Sequence, residues 1–132
     1  MAGSQSLRNR VAIVGVGESD IGKVPGMSGL GLTAQAARRA LDDSGLKVSD
    51  IDGVLTAYSL TEPYFMLGTV LCEYLGLRPR YNASLVVGGA TPAVMLKHAA
   101  EAIVAGSAVA RLPDLRRATR AELAQQHVPP SE

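Results

Sequence analysis

Residues 11–17, VAIVGVG, place apolar side chains at successive positions with no polar alternation. Successive strand residues point to opposite faces of a sheet, so a strand of this kind must be covered on both sides. That requirement predicts a central strand in a parallel or mixed sheet, flanked by helices. The downstream sequence supplies such helices in alternation with further strands. Thr33 is a suitable N-cap for a helix through AQAARRALDDSG, with Ala37, Ala40, Leu41 and Ser44 on one face and Gly45 as the stop. SDIDGVLTA then gives a tight turn and a short strand from Val54 to Ala57. Tyr64, Leu67, Leu71 and Tyr74 or Leu75 recur at helical spacing, which predicts a helix over 64–75 closed by Gly76. Pro79 holds the chain extended, and YNASLVV, from Tyr81 to Val87, reads as a third strand. Thr91 and Pro92 suit the N-cap and first turn of a third helix, whose expected buried stripe is Ala93, Leu96, Ala99 or Ala100, and Ile103. Strand and helix alternating three times indicate an α/β domain with a mixed, mostly parallel sheet and helices on both faces.

The domain is expected to occupy residues 10–106. Residues 1–9, rich in Ser, Gly and Gln, read as a flexible leader. Residues 107–132 lack glycine and carry Arg111, Arg116, Arg117 and Arg120. This abrupt change of character predicts an atypical tail with a non-native or out-of-register ending.

Composition narrows the partners. The 132 residues hold 13 Lys plus Arg against 12 Asp plus Glu, and a net charge of +1 gives no electrostatic footprint for nucleic acid or an anionic membrane. No apolar run approaches the ~20 residues of a membrane span. Cys72, the sole cysteine, cannot form an internal disulfide, and the chain opens without a secretory pattern, so the cytoplasm is the expected compartment.

The segments that could carry chemistry are few. GVGESD after the first strand lacks the third glycine of a dinucleotide cradle and reads as a turn. Cys72 lies mid-helix, where a thiol is normally a small buried hydrophobe. His98 has no second histidine at ligand spacing, and Lys97 with Glu101 is an exposed i, i+4 pair. No metal site is expected. Tyr58, just past the end of a strand, could face a cleft. In LVVGGATP, two glycines separate a strand from a helix start. The amides of Gly89, Ala90 and Thr91 could donate to an anion or a developing oxyanion there. Equally, Gly88-Gly89 could serve only to make a sharp turn.

RVAIVGVGESDIGK, TAQAARRALDDSGL, SDIDGVLTA and the strand-turn-helix ending in AAEAIVAG together resemble the N-terminal half of the thiolase superfamily. The likeness is nearest to its sterol-carrier-protein-X-like branch, often labelled lipid-transfer protein or acetyl-CoA acetyltransferase. It covers residues 10–106 and implies a thiolase-like fold of two similar α/β halves, of which this chain would supply most of the first. In that family the turn before the third helix carries a nucleophilic cysteine, in a pattern like Cys-x-Ser-Gly. The matching positions here are Gly89, Ala90, Thr91 and Pro92, so Gly89 holds the nucleophile's place and keeps only its backbone N–H.

The resemblance implies an acyl-CoA-processing protein with a CoA thioester as substrate and no cofactor bound by this chain. Glycine cannot form an acyl-enzyme, and the family's catalytic His motifs and second cysteine lie beyond the matched region, so acyl transfer by this chain alone is not expected. Cysteine-less relatives include steroid side-chain retro-aldolases that work with an OB-fold, zinc-ribbon partner protein, which gives one alternative. A non-catalytic dimerisation or assembly module is another, because the family pairs the strand equivalent to Tyr81–Val87 in a homodimer. The expected outcome is that the purified chain releases no CoA from acetoacetyl-CoA; measurable thiolytic turnover would overturn it.

Overall fold

A computed structural model describes residues 6–59 and 62–108. The expected leader and tail lie largely outside these residues. Helix α1 spans Gly29–Ser44, strand β1 Gly53–Ala57, helix α2 Leu67–Leu75, strand β2 Tyr81–Leu85 and helix α3 Thr91–Val104. Short 3-10 turns at Val48–Asp50 and Gly88–Ala90 precede β1 and α3.

β1 and β2 pair in parallel, in a register running from Gly53 opposite Tyr81 to Ala57 opposite Leu85. Parallel neighbours need a crossover, and α2 provides it. The two faces are covered by different helices. Asn82 and Ser84 approach Gly68 of α2 on one face. Gly53, Leu55 and Tyr81 share a small cavity with Ala99, Ala102 and Ile103 of α3 on the other. The apolar core sits where α1 meets α2, with Leu30, Ala34, Leu67 and Leu71 buried and Val54, Tyr64, Val70 and Leu75 packed around them. A parallel sheet with helices on both faces is the architecture the sequence predicts.

The helix ends follow local chemistry. α1 starts five residues before the expected point, because Ser28 rather than Thr33 caps it: Ser28 Oγ accepts from the Gly31 amide at 3.0 Å. Thr33 instead turns its hydroxyl back onto Gly29 O at 2.9 Å. α2 starts three residues late, since no side chain caps its N-terminus and Met66 is not helical. All three helices close in the same way. At α1, Gly45 takes a φ of 70°, its amide meets Asp42 O and the Leu46 amide meets Leu41 O; α2 repeats this at Gly76 and α3 at Gly106. This is the Schellman arrangement, in which a left-handed glycine lets the last carbonyls find donors.

Two expectations fail. α3 turns inward a stripe that shares only Ala100 with the expected one: Thr91, Ala100 and Ala102 are buried, whereas Ala93, Leu96 and Ile103 are exposed. Small residues let the helix lie close on the sheet, and this closeness overrides the larger side chains. The second failure is the first strand. Residues 11–17 join no sheet among the described residues. They lie along α1, where the Val16 amide donates to Asp43 Oδ2 at 2.9 Å. Gln35 and Arg39 continue that line at four-residue spacing. Arg39 binds Glu18 O at 2.7 Å and Asp20 Oδ1 at 2.8 Å, and Gln35 Oε1 accepts from the Asp20 amide at 2.8 Å. Gly15 and Gly17 make the approach feasible, because a Cβ at either would overlap the backbone of Ala40 or Ala36. One helix face thus satisfies polar groups that a sheet would otherwise take up.

Replacing Ser28 with Ala is expected to cost about 1 kcal/mol of stability in urea titration. The guanidinium of Arg39 and the amide of Gln35 hold the Asp20 carboxyl below its usual pKa. A depressed carboxyl pKa contributes stability above the ordinary carboxylate range and loses it as pH falls through the lowered value. The protection factors of amides 16–20, read by NMR against the intrinsic exchange rate at each pH, should therefore fall on acidification, and Arg39→Ala should remove most of that pH dependence.

Candidate functional site

The C-terminal ends of β1 and β2 emerge together, since Ala57 lies opposite Leu85. Ligands of open parallel sheets bind at this end. Four segments meet here: the residues after β1, the turn after β2, and the N-termini of α2 and α3.

The turn after β2 is fastened by one hydroxyl. Gly88 adopts a φ of 68° and reverses the chain. Thr91 Oγ1 then accepts from the Val87 amide at 3.1 Å and donates to Gly88 O at 2.6 Å. Thr91 is 7% exposed, so both bonds are sheltered from water. It is the first residue of α3 and not its N-cap; Ala90 precedes the helix and no side chain caps it. The Thr91 amide donates to Gly88 O and is thereby spent. Of the three amides expected to be donors, Gly89 and Ala90 remain candidates, and Gly89 opens the turn where N–H groups lack partners from within the helix. Gly89 is exposed, and a Cβ built on it meets nothing within 4 Å. The turn therefore presents backbone toward open space.

Tyr58 follows β1 at the same end, is 45% exposed, and lines a groove together with Ser59. The sequence reading passed over Glu62. Its carboxylate sits at the N-terminus of α1, where Oε1 accepts from the Gly29 amide at 2.9 Å, while the buried Oε2 has no partner. A carboxylate there is favoured by the helix dipole; the only sequence signal is an acid beside Pro63 in a loop. Cys72 is buried in α2, and burial raises its thiol pKa. Asn82 Nδ2 reaches Thr69 Oγ1 at 3.4 Å, and Thr56 and Ser84 share a hydroxyl bond at 2.8 Å between the strands. No cluster of metal-ligating side chains occurs among the described residues, and no described helix is long and apolar enough to cross a membrane.

Thr91→Val should leave the Val87 amide unpaired and take the hydroxyl bond from the Gly88 carbonyl, which keeps only the amide of residue 91, and cost roughly 1–3 kcal/mol, whereas Thr91→Ser should retain most of the stability; thermal unfolding of both variants checks this. Cys72 should alkylate slowly at neutral pH in the native protein and rapidly in urea, as thiol titration with iodoacetamide would read.

No protein-family model matches the sequence. The chain is 32% identical over 102 residues to 17-hydroxy-3-oxo-4-pregnene-20-carboxyl-CoA lyase of Mycobacterium tuberculosis, covering 77% of this chain and 26% of the lyase. It thus spans about a quarter of that curated relative. Among solved structures, the Ltp2-ChsH2(DUF35) aldolase is similar with a TM-score of 0.61 at 30% identity, over 74% of this chain and 25% of that one. A monomeric SCP2-thiolase-like protein type 1 from Mycobacterium smegmatis matches with a TM-score of 0.57 at 26% identity, over 73% and 21%. The tetronic acid condensing enzyme AbyA1, at 23% identity and a TM-score of 0.53, shares the fold. The described residues accordingly form part of a thiolase-like fold, similar to that of SCP2-thiolase-like proteins.

Proposed function

We propose that this chain supplies the oxyanion-binding turn of a CoA-thioester carbon–carbon lyase of the retro-aldol type. The observation that carries the reading is the turn at Gly88–Ala90, which offers amides but no nucleophilic side chain to open space. The 32% identity to a CoA lyase supports the same choice of chemistry.

The reaction begins with a β-hydroxyacyl-CoA. A base takes the proton of the β-hydroxyl, the Cα–Cβ bond breaks, and the β carbon leaves as a carbonyl. The electron pair of the broken bond passes to the thioester as an enolate, whose oxygen accepts hydrogen bonds from the Gly89 amide and its neighbour Ala90. Protonation at Cα then releases a shortened acyl-CoA. No bond to the protein forms, so a glycine at residue 89 is no defect here. Thr91 acts as a positioning residue by holding the turn. Tyr58, at the same end of the sheet, is a candidate for proton transfer. Further acid and base groups, the acyl-CoA pocket, an OB-fold, zinc-ribbon partner and a homodimer through the strand from Tyr81 belong to the same proposal.

Acyl transfer is the rival reading, and it requires a covalent acyl-protein. The two separate by mass spectrometry of the assembly isolated from its native host. A β-hydroxyacyl-CoA should yield a ketone or aldehyde and a shortened acyl-CoA, with no acyl adduct on this chain; an adduct formed from acetyl-CoA or a β-ketoacyl-CoA would sink the lyase reading. Replacing the Gly88–Gly89 amide by an ester deletes one donor without adding atoms. It should slow cleavage by roughly 10²–10³-fold, whereas Gly89→Ala should leave the rate within a few-fold of the original.

A further inference from the structure

Tyr58 and Ser59 follow β1 outside any helix or strand. Two hydrogen bonds nevertheless connect them to the start of α1. The Ser59 hydroxyl accepts from the Glu62 amide at 3.2 Å. The Glu62 carboxylate in turn accepts, through Oε1, from the Gly29 amide at 2.9 Å, across 33 residues of sequence. Gly29 is itself held, because its carbonyl takes the Thr33 hydroxyl at 2.9 Å, and Thr33 lines the same groove as Tyr58 and Ser59. A Cβ added to Gly29 would stand 3.4 Å from Glu62 Oε2, so the carboxylate lies directly against the first turn of the helix. The helix dipole favours a negative charge in that seat, and a charged acceptor makes the stronger bond. Only one oxygen does the holding, since Oε2 is buried with no partner among the described residues. Pro63 stiffens the link by restricting the backbone of Glu62 to extended conformations.

We propose that Glu62 is a positioning residue for Tyr58: its carboxylate transmits the fixed start of α1, through Ser59, to the phenol at the end of β1. The anchor is suited to this, because α1 is tied into the core by Leu30 and Ala34 immediately after Gly29. Tyr58 by contrast is 45% exposed and has only its chain neighbour Ala57 in the sheet. The catalytic consequence rests on the lyase reading, in which Tyr58 transfers a proton, whereas the tether stands without it. A group that must meet a reacting atom loses rate when its orientation is free. Glu62 does not touch the reacting atoms on this account; it raises the share of time in which Tyr58 is in place.

NMR relaxation of the full chain reads the tether. The backbone order parameters of Tyr58 and Ser59 should lie near the ~0.85 of rigid backbone in the unaltered chain and drop below about 0.6 in Glu62→Ala. Glu62→Gln keeps an acceptor for Gly29 and should restore most of the order. Ser59→Ala leaves the carboxylate on α1 and should loosen Tyr58 while the Gly29 amide stays protected, which tests the tether even where Glu62→Ala does not fold. Unchanged order at Tyr58 in Ser59→Ala, with the β1 and β2 amides still protected, overturns the proposal. Kinetics of the assembly from its native host read the consequence. With a β-hydroxyacyl-CoA, Glu62→Ala should lower kcat by about 10- to 100-fold and leave KM within about twofold. The same substitution should have little further effect once Tyr58 is replaced by Phe. An equal loss in both backgrounds means that Glu62 acts by another route, and overturns the proposal. Full cleavage by Tyr58→Phe refutes the proton-transfer role of Tyr58 and the catalytic consequence with it, an outcome distinct from failure of the tether, which the order parameters alone decide.

Discussion

The parallel pairing of β1 with β2 is the constraint on which the rest of the structure depends. It runs only five residues, yet its register fixes where the chain leaves each strand: Ala57 and Leu85 end side by side. A parallel pair cannot be closed by a hairpin, so a helix must cross between the strands. That helix, α2, covers one face, and α3 has to fold back over the other. The hydroxyl bond between Thr56 and Ser84 adds a polar link in the same register, with Thr56 buried. A two-stranded sheet is marginal without packing on its faces, so strand pairing and helix docking stabilise each other.

The turn at the end of this sheet presents main chain rather than side chains. Thr91 spends its hydroxyl and its amide within the turn, which leaves rigid backbone facing outward. Fixed dipoles of this kind need no reorganisation when charge develops, and electrostatic stabilisation of an oxyanion draws on that property. The turn requires glycine at 88, where φ is positive, and does not require it at 89. Side-chain groups have to come from around the turn, and Tyr58, Ser59 and Glu62 are among the polar side chains of the loop after β1.

Much of the fold was legible in the sequence because its determinants are local. Gly45 and Gly76 stop their helices as expected, and β1 and β2 lie within a residue or two of their predicted spans. The turn at Gly88 and the helix after it were equally plain. Residues 11–17 were misread because strand character was inferred from apolarity alone, while the competing contacts come from α1, with Asp43 on Val16 and Arg39 and Gln35 on Glu18 and Asp20 just beyond. The inward face of α3 was only partly legible for a related reason: Ala100 is buried as expected, but side-chain size suggested Leu96, whereas the depth of approach to the sheet selects Ala102. Glu62 escaped notice because its setting depends on where α1 begins, and Ser28 sets that point rather than Thr33.

The open space above Gly89 has an evolutionary consequence. A side chain added there meets no neighbour and relieves or imposes no strain on the turn. Glycine and cysteine codons can differ by a single base, so the step between a bare amide and a nucleophile at this place is short and nearly neutral for folding. Residue 89 can therefore change identity at little cost to folding, leaving the strands and helices that carry the turn untouched.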